Sequence, residues 1–204
     1  MNRESKAKLN IYISLLGQAI TLVCGLIVPR VLLKGFGSEA YGAVASITQF
    51  LSYITLLEGG IGGVARAALY KPLAIKDNET ISKVISEIKR FFRMIGIVFA
   101  IYVIFIAFTF HSIAHVQCFG AVTTFILVVI ISLSTFAQYF IGISYSVLIQ
   151  ADQKSYITQM IFSLATIANT ILVVLFTQLG CNLVIVKLMS SIVFAARPFL
   201  TWLY

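Results

Sequence analysis

The chain has 204 residues, 60% of them hydrophobic and only 11% charged, with a mean hydropathy of +1.00. A soluble globular protein is roughly 45–50% apolar and about 25% charged, so a water-soluble fold of this length cannot hide so much apolar surface and the solvent has to be lipid. The net charge of +8 is therefore first a question of where Lys and Arg lie relative to membrane spans, and does not point to nucleic acid as a partner.

A membrane helix needs about 20 mostly apolar residues. In chain order, the windows that qualify are 9–33, 40–65, 93–111, 118–148, 156–178 and 182–204. The first follows Arg3, Lys6 and Lys8, which resembles the charged start of a signal peptide. Its apolar run is too long for a cleavable segment and no small-residue cleavage site stands out, so it is expected to stay as a span. An open sheet cannot satisfy its backbone in lipid, and strict alternation is lacking, so all the spans are expected to be helices. The fold class predicted is an all-α polytopic membrane protein, residues 1–204 forming a single six-helix lobe.

Along the first span, Asn10, Ser14, Gly17, Thr21 and Gly25 recur at helical steps; along the second, Thr48, Ser52, Thr55, Gly59, Gly62 and Arg66 do the same. The fourth carries Thr135, Gln138, Gly142 and Tyr145, and the fifth Gln159, Ser163, Thr166 and Thr170. Such stripes serve either close helix packing with hydrogen-bond glue or a shared hydrated interior.

The second span closes on LLEGGIGGVARAAL (56–69). Glu58 lies about 25 Å beyond Tyr41 at 1.5 Å per residue, and a carboxylate at that depth implies a cavity or a partner. Gly59, Gly60, Gly62 and Gly63 loosen the helix at ~1 kcal/mol each relative to alanine. Gly59 and Gly63 also form a GxxxG pair that lets a neighbour approach. A bendable helix end beside a polar cavity suits a moving transporter. Tight packing at a helix terminus, with Arg66 marking the interface, is the plainer alternative.

Between the second and third spans, KDNETISKVISEIKRFFR (76–93) offers Asp77 or Asn78 as a helix cap, then Ile81, Val84, Ile85, Ile88, Phe91 and Phe92 at helical spacing. It is expected to be an amphipathic helix in the membrane interface leading into the third span, or a solvated extension of that span. In the outer loop, His111 and His115 stand at i and i+4 without a third ligand nearby, which makes a poor metal site. Cys24, Cys118 and Cys181 lack metal or redox spacing and read as small apolar filler. No P-loop and no other enzyme or cofactor signature is present.

Orientation follows from the cations. With the N-terminus inside, the inner segments hold Arg3, Lys6, Lys8, Arg66, Lys71, Lys76, Lys83, Lys89, Arg90, Arg93 and Lys154, and the outer segments hold Arg30 and Lys34. This asymmetry predicts both termini in the cytoplasm. Arg30, Arg66 and Arg197 can snorkel to an interface. Lys187, a few residues into the sixth span, is harder to place, and cations facing a cavity would attract an anion such as a pyrophosphate group.

The stretch GQAITLVCGLIVPRVLLKGFGSEAYGAVASITQFLSYITLLEGGIGGVARAAL (17–69) resembles the N-terminal segment of the Wzx-type oligosaccharide flippases of bacterial surface-polysaccharide synthesis, within the multidrug/oligosaccharidyl-lipid/polysaccharide exporter superfamily. VPRVLLKGFGSEAYG (28–42), LLEGGIGGVARAAL (56–69) and AIKDNETISKVIS (74–86) carry the likeness through their order and spacing. The resemblance implies a protein of the bacterial cytoplasmic membrane that moves an undecaprenyl-diphosphate-linked repeat unit to the outer leaflet without ATP hydrolysis. Its partners would be that lipid-linked oligosaccharide, membrane lipids and the polysaccharide assembly machinery. It also implies cationic cavity residues, and places Arg30 and Arg66 in matching segments and Glu58 in the glycine motif. Family members have two six-helix lobes, whereas this sequence stops at TWLY after one; the expectation is that it works with a second transporter half or as a self-dimer. A cation-coupled drug antiporter of the same superfamily and a non-transporting membrane enzyme or assembly factor are the alternatives.

Overall fold

The computed structural model describes Arg3–Glu58, Gly60–Ala114 and Cys118–Tyr204, and only the backbone of residues 3–5 and Leu57. Among the described residues all regular structure is helical: α1 (Arg3–Ser52), α2 (Thr55–Glu58), α3 (Ile61–Ile75), α4 (Asn78–Ile113), α5 (Ala121–Ala137), a π-helical segment (Gln138–Gly142), α6 (Ile143–Ala151), α7 (Ser155–Gln178) and α8 (Leu183–Leu203). His115, Gln117 and Gly59 lie outside the described residues.

The first two predicted spans, 9–33 and 40–65, are the arms of a single interrupted helix. Gly37, with φ 84° and ψ 167°, breaks α1 where any side chain would be strained. The first arm runs in the same direction as α7: Asn10 meets Gln153 and Tyr156, and Gly35 lies against Thr177. The second arm returns: Ala40 and Val44 pack with Val173, Leu183 and Val186, while Ile47 and Leu51 join the core around Phe92, Phe99 and Phe110. Five helices are long and apolar enough to cross a membrane, with both arms of α1 taken as one. The returning pass does not end at residue 65; it breaks at Tyr53–Ile54 and again at Gly60, then continues as α3.

The segment 76–93 is not a separate interfacial helix. It forms one piece with the third span in α4, whose 36 residues reach about 54 Å at 1.5 Å per residue, against ~30 Å of hydrocarbon. Its apolar stripe faces protein rather than lipid. Ile88 and Phe92 are buried in the core, with Ile81, Val84 and Ile85 packed against it. Asp77 is the cap, its carboxylate accepting from the Thr80 amide at 3.1 Å. The remaining spans stand within a few residues of their predicted bounds, except that the fourth runs on to Ala151 and contains the π segment.

Aromatic packing holds the middle of the bundle. Phe99, fully buried, lies 4.9 Å from the Phe136 ring and 5.9 Å from that of Tyr139. Large apolar side chains such as Leu22, Leu26, Phe105, Phe108 and Leu164 point outward. In water they would be a liability, and in lipid they are the solvated surface.

The chain's basic end is clamped at the turn between α6 and α7. Asn10 donates to the Gln153 carbonyl (3.0 Å) and accepts from the Tyr156 amide (2.8 Å), so one side chain ties α1 to the start of α7. Asp152 pairs with Lys154 (2.8 Å) and Lys6 (3.6 Å). Partial burial pushes the Asp152 carboxyl upward, but the two ammonium groups outweigh it and hold it below the usual carboxylate range. A depressed folded-state value means the stabilisation is present above the unfolded value and is lost as pH falls through the folded one. Asp152→Asn is therefore expected to lower the thermal unfolding midpoint at pH 7, by under about 1 kcal/mol for so exposed a pair, with the gap to wild type closing below about pH 4. A gap that persists undiminished at pH 3 would refute the electrostatic account.

Candidate functional site

Two neighbouring passes depart from regular α-helix where they meet, one by breaking and the other by a local π widening. The returning pass unwinds at Tyr53–Ile54 and turns again at Gly60, where φ is 78°. Opposite it, the fourth pass widens into the π segment, of the kind often found at functional sites. A single side-chain bond joins them: the Tyr139 hydroxyl donates to Glu58 Oε1. The Tyr139 ring lies between Phe92 and Phe99 (6.4 and 5.9 Å). Glu58 therefore sits beside the aromatic cluster that Tyr139 forms with Phe92 and Phe99. It is half-buried, and no ion pair to it occurs among the described residues.

In the second turn of α3, Arg66 extends toward α6. Its Nη1 donates to Gln150 Oε1 at 2.8 Å, and its Nε to the carbonyl of Gly62 at 3.2 Å. On the other side of Gln150 is a cavity of about 220 Å³ between the fourth pass, α7 and α8, lined by Gln138, Ser146, Thr158, Gln159, Thr201 and Arg197. Arg197 lies over the rings of Phe162 (5.0 Å) and Phe194 (4.6 Å), two cation–π contacts.

The other two cations singled out in the sequence lie elsewhere. Lys187 lines a second cavity of about 340 Å³ with Thr48, Ser52, Thr55, Ser134, Thr135 and Ser190, about 6 Å into α8 from Leu183 at 1.5 Å per residue. Arg30 is exposed near the Gly37 end and lines neither cavity. Glu58 and Arg66 thus share the half of the bundle nearer the basic end, Lys187 lies toward the opposite end, and Arg30 is on the outside.

The glycines behave differently from the close-packing expectation. A Cβ at Gly60 or Gly62 would meet nothing within 4 Å, and one at Gly63 would meet only Arg66 Nη2 at 3.9 Å. Their place in the fold is the break at Gly60, where a positive φ is needed. Close approach occurs at other glycines: Gly17 against Gln159 and Ser163, Gly96 against Phe140, and Gly142 against Pro198. Packing therefore accounts for the facing stripes of α1 and α7 around Gly17. Thr48, Ser52 and Thr55 of the second pass, and Thr135 and Gln138 of the fourth, instead line cavities.

The sequence reading missed Arg197 as a cavity residue, and with it Gln150 and Tyr139. Gln138 and Gln150 are 12 residues apart, so on an ideal helix they would face about 120° apart. The π segment between them absorbs one residue and brings the difference to about 20°. Both then line one cavity.

Comparison with protein-family models, curated proteins and solved structures gives no match for this chain.

Proposed function

We propose that the chain is a transporter lobe that moves a diphosphate-linked lipid oligosaccharide across the bacterial cytoplasmic membrane, as Wzx-type flippases do. The observation that carries this reading is a broken membrane pass, at 53–60, joined through Glu58 and Tyr139 to a neighbouring pass widened by a π segment at 138–142. Packed continuous helices serve an anchor well enough, whereas broken helices beside polar cavities are the usual build of a site that must open alternately to two sides. Arg66 supports an anionic cargo, with Glu58 beside the moving joint. Lys187 supplies a cation near the opposite mouth, and Arg30 a cation for headgroups outside it. The end bearing Lys71, Lys76, Lys83, Lys89 and Lys154 faces the cytoplasm. The lobe works against a second one, another copy or a separate half, beside the polysaccharide assembly machinery.

Glu58 favours a second reading. A carboxylate at membrane depth also suits a cation-coupled drug antiporter, which would expel toxic cations in response to a proton or sodium gradient.

Two experiments test the proposal. In proteoliposomes containing the chain, a labelled prenyl-diphosphate oligosaccharide should change leaflets in a protein-dependent manner, while a cationic dye should not. Dye transport without movement of the lipid would favour the antiporter. In cells, a cysteine replacing Asn78 is expected to react only with reagent on the cytoplasmic side, and one replacing Gln178 only from outside. Reversed labelling would overturn the orientation and the direction of transport built on it.

A further inference from the structure

The Arg197 cavity lacks the feature that usually accompanies a guanidinium inside a membrane bundle, an acid. No carboxylate lines it. The ion pairs among the described residues, Lys6–Asp152, Lys83–Glu79 and Lys154–Asp152, all sit at the basic end. Among the described residues Arg197 donates one long bond, from Nε to the Phe194 carbonyl of its own helix at 3.3 Å, and it lies over the rings of Phe162 and Phe194. Its terminal nitrogens make no hydrogen bond to the described residues, and a half-buried cation without a counter-charge is costly.

Gln150 sharpens the preference. Arg66 has donors only, so Gln150 must present its carbonyl oxygen there, and does so at 2.8 Å. That bond leaves the Gln150 amide NH₂ as the group available to the cavity. Arg66 thus acts as a positioning residue, since its guanidinium turns a neutral side chain into an oriented donor. Gln138 and Gln159 add two further amides, and Ser146, Thr158 and Thr201 three hydroxyls. The volume of about 220 Å³ equals roughly seven waters' share of the liquid, room for a phosphate and part of a hydroxylated ring.

We propose that this cavity is an oxyanion site: it takes the phosphate or diphosphate of a hydroxyl-bearing headgroup, with Arg197 as its charged ligand and Gln150 as an oriented neutral donor. A guanidinium fork suits such a group bidentately. That the oxyanion belongs to transported cargo rests on the flippase reading above; that the cavity binds an oxyanion does not.

The test uses the full chain in phosphatidylcholine nanodiscs, with calorimetric titration of farnesyl diphosphate and farnesol as the uncharged control. Farnesyl diphosphate is expected to saturate and farnesol not to bind. Arg197→Ala should weaken binding about ten- to hundredfold, the value of a charge-assisted bond, and Arg197→Lys should weaken it less. Gln150→Glu keeps a partner for Arg66 but replaces the donor with an acid, and should weaken binding at least as much as Arg197→Ala. Competition by inorganic pyrophosphate separates the sources: displacement means the oxyanion alone is read, and failure to displace means the lipid-borne form is. Unchanged affinity in a folded Arg197→Ala protein, or equal binding of farnesol, would overturn the site. Arg197-dependent binding with no effect of Arg197→Ala on lipid translocation would leave the site standing and detach it from the transported cargo, whereas Arg197-dependent binding with no protein-dependent translocation at all would remove the flippase reading.

Discussion

Gly142→Ala is expected to lower the stability of the bundle by about 1–3 kcal/mol, the usual cost of overpacking, and Gly142→Leu is expected to prevent correct assembly. A Cβ at Gly142 would sit 2.6 Å from Pro198 Cβ and 3.2 Å from Pro198 Cα. Neither atom belongs to a flexible side-chain end, so the strain has to be relieved by separating α8 from the π segment. Both elements line the Arg197 cavity, so its shape changes with them. Thermal unfolding of the purified protein measures the effect. Pro198→Gly removes the colliding Cβ, and in a double-mutant cycle it should recover part of the loss, a coupling of the size seen for residues in contact. The contrast lies in the glycine motif. Gly62→Ala, with nothing within 4 Å of the new methyl group, should be neutral or stabilising by up to about 1 kcal/mol, because alanine favours a helix. A destabilising Gly62→Ala with a neutral Gly142→Ala would reverse the packing assignment.

Arg66→Ala is expected to slow lipid translocation by about ten- to hundredfold, the value of a charge-assisted hydrogen bond. The substitution removes the donor to Gln150 (2.8 Å) and leaves the Gln150 carbonyl without it. Arg66→Lys should recover part of the rate, since lysine keeps the charge and loses the planar fork. Glu58→Gln should also slow transport. The amide oxygen can still accept from Tyr139, so the joint between the broken pass and its π-widened neighbour is kept while the charge is removed. Protein-dependent leaflet exchange in proteoliposomes, normalised to inserted protein, reads all three. Wild-type rates from well-inserted Ala and Gln variants would reduce Arg66 and Glu58 to anchors at the membrane interface.

The helical class, the membrane solvent and the concentration of cations at one end follow from composition and spacing, because lipid forces every backbone group into local hydrogen bonds and each span must meet that demand alone. For the same reason the bounds of the last two passes were legible almost to the residue: α7 and α8 are continuous helices whose apolar runs end where they end. The sequence left open whether 76–93 is an interfacial helix or an extension of the third span, since the stripe of Ile81, Ile85 and Ile88 suits a lipid surface and a protein surface equally well. Only the packing of α3 and α6 beside it decided between them. The site depended on tertiary structure still more. Glu58 and Arg66 could be picked out as costly groups in apolar surroundings, but their partners, Tyr139 and Gln150, are 81 and 84 residues away. The glycine-rich motif announced a break and could not say that Gly60, Gly62 and Gly63 are free of close approach by a neighbouring helix, because close approach is a property of two helices. Gln138 and Gln150 meet at one cavity because the π segment shifts the helical register by one residue between them. A pattern read at 3.6 residues per turn cannot register that shift, since the extra residue is placed by contacts such as Gly142 on Pro198 from another part of the chain.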